Sequence, residues 1–196
     1  MEISVNTVLL VMDLQAGTMS RLGDTPEAKQ LIAALQTAIA HARTSGIPVI
    51  YVVVGFRKGL PEIAMANRSF SALKQMPPDA RAALEEPLAV FPAVAPQTGE
   101  PVVTKRRISA FAGSDLDVLL RAYKAEHLVL TGISTSGVVL STLREAADKD
   151  FQLSVLSDCC ADLDPEVHTV LLTKVFPRHA EVLTTAAWIK GPLQPK

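Results

Sequence analysis

Short runs that are apolar on every consecutive residue, each followed by a longer stretch apolar on one helical face, leave this chain few folds to choose from. "TVLLVMDL" (7–14) is the first such run. A strand with one wet face alternates, whereas a strand buried on both faces is continuously apolar. "IPVIYVVVGF", the short "GEPVVTK", "HLVLTG", "FQLSVLSD" and "AEVLTT" repeat the pattern, giving six strands. Between them lie helical patterns. In "PEAKQLIAALQTAIAHARTSG", Leu31, Ile32, Leu35, Ile39 and Ala42 share one face, Pro26 suits the first turn and Gly46 the C-terminal cap. "SDLDVLLRAYKAE" offers Ser114 as N-cap, "SGVVLSTLREAADKD" follows the fourth strand, and "DPEVHTVLLTKVFP" begins at Asp164-Pro165. Parallel neighbours need crossover connections, so repeated strand–helix–strand order predicts an α/β fold, a parallel sheet covered by helices on both faces.

The 196 residues suit one domain, 1–196, interrupted by an irregular insertion at about 55–100 that is rich in proline and broken by charges. Apolar residues make up 48%, charged residues 20%, and the net charge is −1, which leaves no basic footprint for nucleic acid. The longest apolar runs are too short to span a bilayer, and the N-terminus lacks a secretory pattern, so no membrane partner is expected. The two cysteines, Cys159 and Cys160, are adjacent and form no disulfide framework. A cytoplasmic location fits, with the pair read as small buried side chains at a strand end rather than as a redox couple.

Ligands of open parallel sheets bind beyond the carboxyl ends of the strands. Three polar features stand there: Asp13, Lys105, and the small-residue turn Gly132–Gly137 after "HLVL". An aspartate ending an apolar strand needs solvent or a partner, and a lysine ending a neighbouring strand supplies one. Spacing alone leaves two readings open: a strand-end ion pair, or a carboxylate poised for acid–base work.

The order Asp…Lys…"TG-x-x-T", carried by "VLLVMDLQ", "VVTKRRISAFAGSDLDVLL", "HLVLTGISTSGVVLSTLREAADKDFQLSVLSDCCAD" and "AEVLTT", resembles the isochorismatase-like hydrolases, also called the cysteine hydrolase family. The resemblance implies a six-stranded parallel sheet of order 3-2-1-4-5-6 sandwiched between helices, a non-proline cis peptide between Ile133 and Ser134, and a homodimer or larger homo-oligomer. It also implies a triad in the amidase members: Asp13 as acid–base group, Lys105 as its electrostatic partner, and a cysteine six residues after Gly132. That position holds Val138. Without a nucleophilic atom there, the thioester route is closed. True isochorismatases are similar in lacking this cysteine. They carry glycine in its place, and their aspartate is thought to protonate a vinyl ether before water attacks.

The remaining candidates are weighed against ordinary structural roles. Ser134, Thr135, Ser136 and Ser141 sit in or just past the turn, where hydroxyls cap helices and satisfy turn amides. Val138, Ser134 and Gly137 would line the substrate side of the turn. Arg57, just past the second strand, suits a substrate carboxylate, as would Arg68, Arg106 or Arg107, though a solvated surface residue or a subunit salt bridge is the simpler reading of any one of them. Phe56, Phe70 and Phe111 are apolar walls or core. His41, His127, His168 and His179 are dispersed without metal-ligand spacing, so neither a metal nor another cofactor is expected. Three functions follow: a cysteine-independent hydrolase of a small molecule, a non-catalytic small-molecule binder or scaffold on the same fold, or amide hydrolysis through a serine or a directly activated water.

Overall fold

A computed structural model describes residues 6–80 and 89–191. Its sheet has six strands, β1 (Thr7–Met12), β2 (Val49–Val54), β3 (Val102–Lys105), β4 (His127–Ile133), β5 (Gln152–Ala161) and β6 (Glu181–Leu183), in the order β3-β2-β1-β4-β5-β6. Every pairing is parallel. The expected fold and strand order are therefore observed.

The continuous apolar runs are explained by two cores, one on each face. Leu10, Met12, Ile50, Val52, Leu128 and Leu130 project to one side, where Leu116, Leu120, Val138, Leu143 and Phe176 meet them. Leu9, Val11, Tyr51 and Val129 project to the other, against Leu31, Leu35, Ala38 and Ile39. Alternate residues of one strand thus enter different cores, so none is left for water.

Helix α1 (Ala16–Leu22) precedes α2 (Pro26–Thr44). Thr25 caps α2, its hydroxyl accepting from the Ala28 N–H at 3.2 Å. Gly46 ends it as expected, with φ +70 and the Ile47 N–H reaching back to the Ala42 carbonyl at 2.8 Å. A short helix α3 (Ser71–Lys74) lies in the segment after β2. Then come α4 (Leu116–Ala122), α5 (Leu140–Ala147), α6 (Pro165–Val170) and α7 (Thr185–Ile189).

Several boundaries differ from the sequence reading. Ser114 is not the cap of α4, which starts after Asp115. The Ser114 hydroxyl instead donates to the Ala110 carbonyl at 2.6 Å and accepts from the Leu116 N–H at 3.3 Å. The helix after β4 opens with a π-helical turn, Thr135–Val139, before α5. The one expected over 164–177 is α6, capped by Asp164, followed by a π turn and a 3-10 turn. β5 runs three residues further than expected and takes in Cys159 and Cys160, which lie within the strand rather than after it.

The insertion is less irregular than its composition suggests. Phe56, Leu60 and Ile63 are buried in a small cluster of their own, joined by Val54, Phe70 and Leu73. Residues 81–88 of it lie outside the described residues.

Candidate active site

β1 and β3 end on the same edge of the sheet, with β2 between them. Asp13 follows the last residue of β1, and Lys105 is the last residue of β3. Asp13 takes a left-handed conformation, φ +56, a region aspartate tolerates better than most residues, while its N–H still donates to Val52 at 2.8 Å. The Lys105 Nζ lies 2.9 Å from Asp13 Oδ2 and also donates to the Arg107 carbonyl at 2.9 Å. Both side chains are almost wholly buried, 3% and 13% exposed for the lysine and the aspartate. The second carboxylate oxygen, Asp13 Oδ1, is buried and has no hydrogen-bond partner among the described residues. Burial pushes the Asp13 carboxyl up to about 6, with the Lys105 charge and hydrogen bond pulling the other way.

Gln15 completes this edge and was not singled out from the sequence. Its amide accepts from the Val54 N–H at 2.8 Å and donates to the Val54 carbonyl at 3.1 Å, extending the ladder past the end of β1. Its place two residues after Asp13, in the opposite register to a core side chain, is a signal visible only in hindsight.

The small-residue turn lies beside β1. Gly132 pairs with Met12, and a side chain there would run into the Met12 carbonyl oxygen, so the close approach of the two strands requires glycine. The Ile133–Ser134 peptide is cis, as the resemblance implied. A Cβ on Gly137 would come within 2.6 Å of Ser134 Oγ, which leaves glycine as the residue that lets this hydroxyl sit against the turn. Ser134 makes no side-chain cap bond. The expectation that all these hydroxyls cap the helix therefore fails for Ser134. Thr135, fully buried, pairs its hydroxyl with His168 Nδ1 at 2.8 Å, and the Ser136 N–H donates to Asp162 at 2.7 Å. The fold thus brings a histidine to the turn from 33 residues away. Burial lowers the His168 pKa, opposed by Asp162.

Val138 lies in the π turn, 2% exposed, in the same apolar cluster as Met12. Of the two thiols on β5, Cys160 pairs in register with Gly132 and lies in the same apolar cluster as Val138, while Cys159 belongs to the core on the other face. Burial pushes Cys159 up to about 12, against the pull of its hydrogen bond with Thr185, and burial likewise pushes Cys160 up.

The arginines divide into two kinds. Arg106 donates to the Gly55 carbonyl, and Arg107 donates to the carbonyls of Arg106 and Glu62. Arg57 is 65% exposed, with its Nη1 3.6 Å from Glu62. For Glu62, burial raises the pKa, but the Arg57 N–H bond and the charges of Arg57 and Arg106 prevail and hold it below the ordinary carboxylate range. Phe111 is buried, stacked on Phe151 at 6.4 Å with Lys149 5.2 Å from its ring centre. Lys149 and Phe151 follow the C-terminal end of α5, eleven and thirteen residues beyond Val138. Phe111 lies in the same core cluster as Val138, and its neighbour Ala110 donates its N–H to the Thr142 hydroxyl in the first turn of α5 at 2.9 Å. Phe56 and Phe70 pair edge-on in the insertion cluster at 5.7 Å. Among the described residues no group of three or more His, Cys, Asp or Glu side chains could hold a metal, and no helix is long and apolar enough to cross a membrane. A cavity of about 410 Å³ opens on the other face, between α2 and α7, with neither Asp13 nor Lys105 in its lining.

A family model described as an isochorismatase domain matches residues 7–187, spanning all six strands. The chain belongs to the isochorismatase family. It is 34% identical over 180 residues to the isochorismatase family protein YecD of Escherichia coli O157:H7, covering 90% of each chain. It is 31% identical over 177 residues to the ureidoacrylate amidohydrolase RutB of Stutzerimonas stutzeri, covering 82% of this chain and 71% of that one. Among solved structures, an isochorismatase family protein from Burkholderia thailandensis superposes with a TM-score of 0.75 at 29% identity, covering 92% of each chain. Asp13, Lys105 and the Gly132–Gly137 turn all lie within the matched residues.

Proposed function

We propose that this chain hydrolyses a small organic molecule with Asp13 as the acid–base group, Lys105 as its electrostatic partner, and water rather than a cysteine as the nucleophile. The observation that carries the reading is the buried Asp13–Lys105 pair at 2.9 Å with Asp13 Oδ1 left unpartnered. A carboxylate oxygen held out of water without a donor costs free energy unless a substrate or an attacking water supplies the hydrogen bond.

No thioester enters the reading. Position 138 is valine, and burial keeps Cys159 and Cys160 in the thiol form. The amidohydrolase relative points to a small amide- or ureido-bearing acid as the substrate class. For such a substrate the Asp13 carboxylate takes a proton from water as its oxygen bonds to the carbonyl carbon. The carboxyl then returns that proton to the nitrogen as the carbon–nitrogen bond breaks. Amide and water become acid and amine, and Asp13 ends as it began. Lys105 holds the carboxylate in place throughout, Ser134, Gly137 and Val138 bound the substrate, and Arg57, exposed though paired with Glu62 at 3.6 Å, turns from that carboxylate to the substrate's. No step is routed through a metal or cofactor.

A carboxyl titrating at about 6 starts as a carboxylate above that pH. The water-activating route therefore rises through pH 6. The vinyl-ether route of the isochorismatase resemblance begins from the protonated carboxyl, and its profile falls instead.

One observation favours a second reading, a binder or scaffold without turnover: Val138, at the position where the resemblance implies a cysteine, is 2% exposed. The two part on a screen of small amides, ureido acids and vinyl ethers. A hydrolase releases product, and Asp13→Asn lowers its kcat by about 10²–10⁴. A compound that raises the Tm without product supports the binder, and full turnover by Asp13→Asn overturns the acid–base assignment.

A further inference from the structure

Lys105 is held from two sides, and one of them leads away from the strand edge. Its ammonium donates to the Arg107 carbonyl at 2.9 Å, while the Arg107 guanidinium donates to the Glu62 carbonyl and sits 5.9 Å over the Phe70 ring. Glu62 and Phe70 belong to the segment after β2, whose Phe56, Leu60 and Ile63 form a separate buried cluster. Arg106 fastens the same segment from its other end by donating to the Gly55 carbonyl, and the Gly55 N–H returns a bond to the Lys105 carbonyl at 3.3 Å. The Glu62 carboxylate collects Arg57 and Arg106 at 3.6 and 4.0 Å, and its Oε2 is buried without a hydrogen-bond partner among the described residues.

We infer that Arg107 is a positioning residue: its carbonyl orients the Lys105 ammonium while its guanidinium clasps the segment after β2, so that the seating of that segment keeps Asp13 dry. The inference rests on Asp13 being the working acid–base group. A guanidinium suits this task because its planar fork serves two carbonyls at once, which an ammonium on a flexible stem does not. If the clasp opens, water reaches Asp13 and Lys105 is free to turn fully onto it. Both changes favour the carboxylate, so both lower its titration midpoint. Among the described residues, Asp13 has one ion-pair partner. Lys105 faces it from β3, with Arg106 and Arg107 behind. Arg57 and Glu62 belong to the segment after β2. On the β4 side, Asp162 is taken by the Ser136 N–H and His168 by the Thr135 hydroxyl.

The experiment needs no substrate: the Asp13 side-chain carboxyl is titrated by carbon-detected NMR in the full chain. Wild type is expected near pH 6, and Arg107→Ala lower by about one pH unit or more. Arg107→Lys should fall between, and Arg121→Ala, an exposed change on α4, should leave the midpoint alone. If Arg107→Ala does not fold, Arg107→Met keeps the apolar stem and carries the same expectation. Folded Arg107 variants with a lower Tm but the wild-type midpoint would make the residue merely structural and overturn the inference. A wild-type midpoint near 4 would instead sink the acid–base reading itself, and this inference with it.

Discussion

Asp13 is where the site strains against the fold. Its carboxyl titrates at about 6 when folded against 3.8 otherwise, so between those values the folded chain binds more protons than the unfolded one. Stability therefore falls as pH rises from about 4 to about 6. At neutral pH the charged form costs roughly 3 kcal/mol, from about two units at 1.36 kcal/mol each. Asp13→Asn should remove this slope. Urea denaturation of both proteins from pH 4 to pH 7 checks it, and parallel curves would reject the buried-carboxylate account. The difference between the two is the quantity to read, because His168 and His127 act in the opposite sense. Burial lowers their pKa, so they withdraw stability as pH falls below about 6.5. Val138 is tested the same way. Val138→Cys puts a thiol in the first turn of a helix, where backbone N–H groups favour the thiolate. It should become alkylated by iodoacetamide at neutral pH, distinguishable by peptide mass from Cys159 and Cys160. A variant no more reactive than wild type would mean the slot is sealed by packing, which favours the binder reading.

At the scale of elements, the turn between β4 and α5 depends on two glycines for different reasons. Gly132 has φ +140 and no room beside the Met12 carbonyl, which is backbone and cannot step aside. Gly132→Ala should destabilise the chain by more than about 2 kcal/mol in urea melts. At Gly137 the obstacle is Ser134 Oγ, the end of a rotatable side chain, so Gly137→Ala should cost less and disturb the substrate side of the turn more. A larger loss of stability for Gly137→Ala would reverse this account. Much of this architecture was legible beforehand, because continuous apolar runs such as residues 8–12 have one physical meaning in a chain this size. Asp13 and Lys105 were legible as strand-end charges, though not as a buried pair with one oxygen orphaned. What stayed hidden was non-local. The Thr135–His168 bond joins residues 33 apart, and the Gln15 amide substitutes for a strand rung at Val54. The order within the insertion was masked by proline and charge, since a cluster of three buried side chains leaves no periodicity. Phe111 was legible as apolar, and its contacts with Phe151 and Lys149 were not, because they too are non-local.

The whole molecule divides into a sheet with two large cores and a smaller cluster seated on the functional edge. Leu10 and Leu60 are both fully buried, but Leu10 packs in the large core with Met12, Ile50 and Leu128, whereas Leu60 has the cluster of Phe56 and Ile63. Cores of such different size should open at different free energies, the smaller one without the sheet. Leu10→Ala should therefore cost about 2–5 kcal/mol of global stability. Leu60→Ala should cost much less globally while speeding hydrogen exchange at the Leu60 and Ile63 amides, which donate to the Arg57 and Leu60 carbonyls at 2.9 and 3.1 Å. Exchange in β1 and β4 should stay slow. The same variant should lower the Asp13 midpoint, because the cluster and the Arg107 clasp hold the same segment. Equal slowing or quickening of exchange across sheet and cluster would mean the two unfold as one. The functional edge would then be no looser than the core behind it, and a substrate would have to enter without that segment moving.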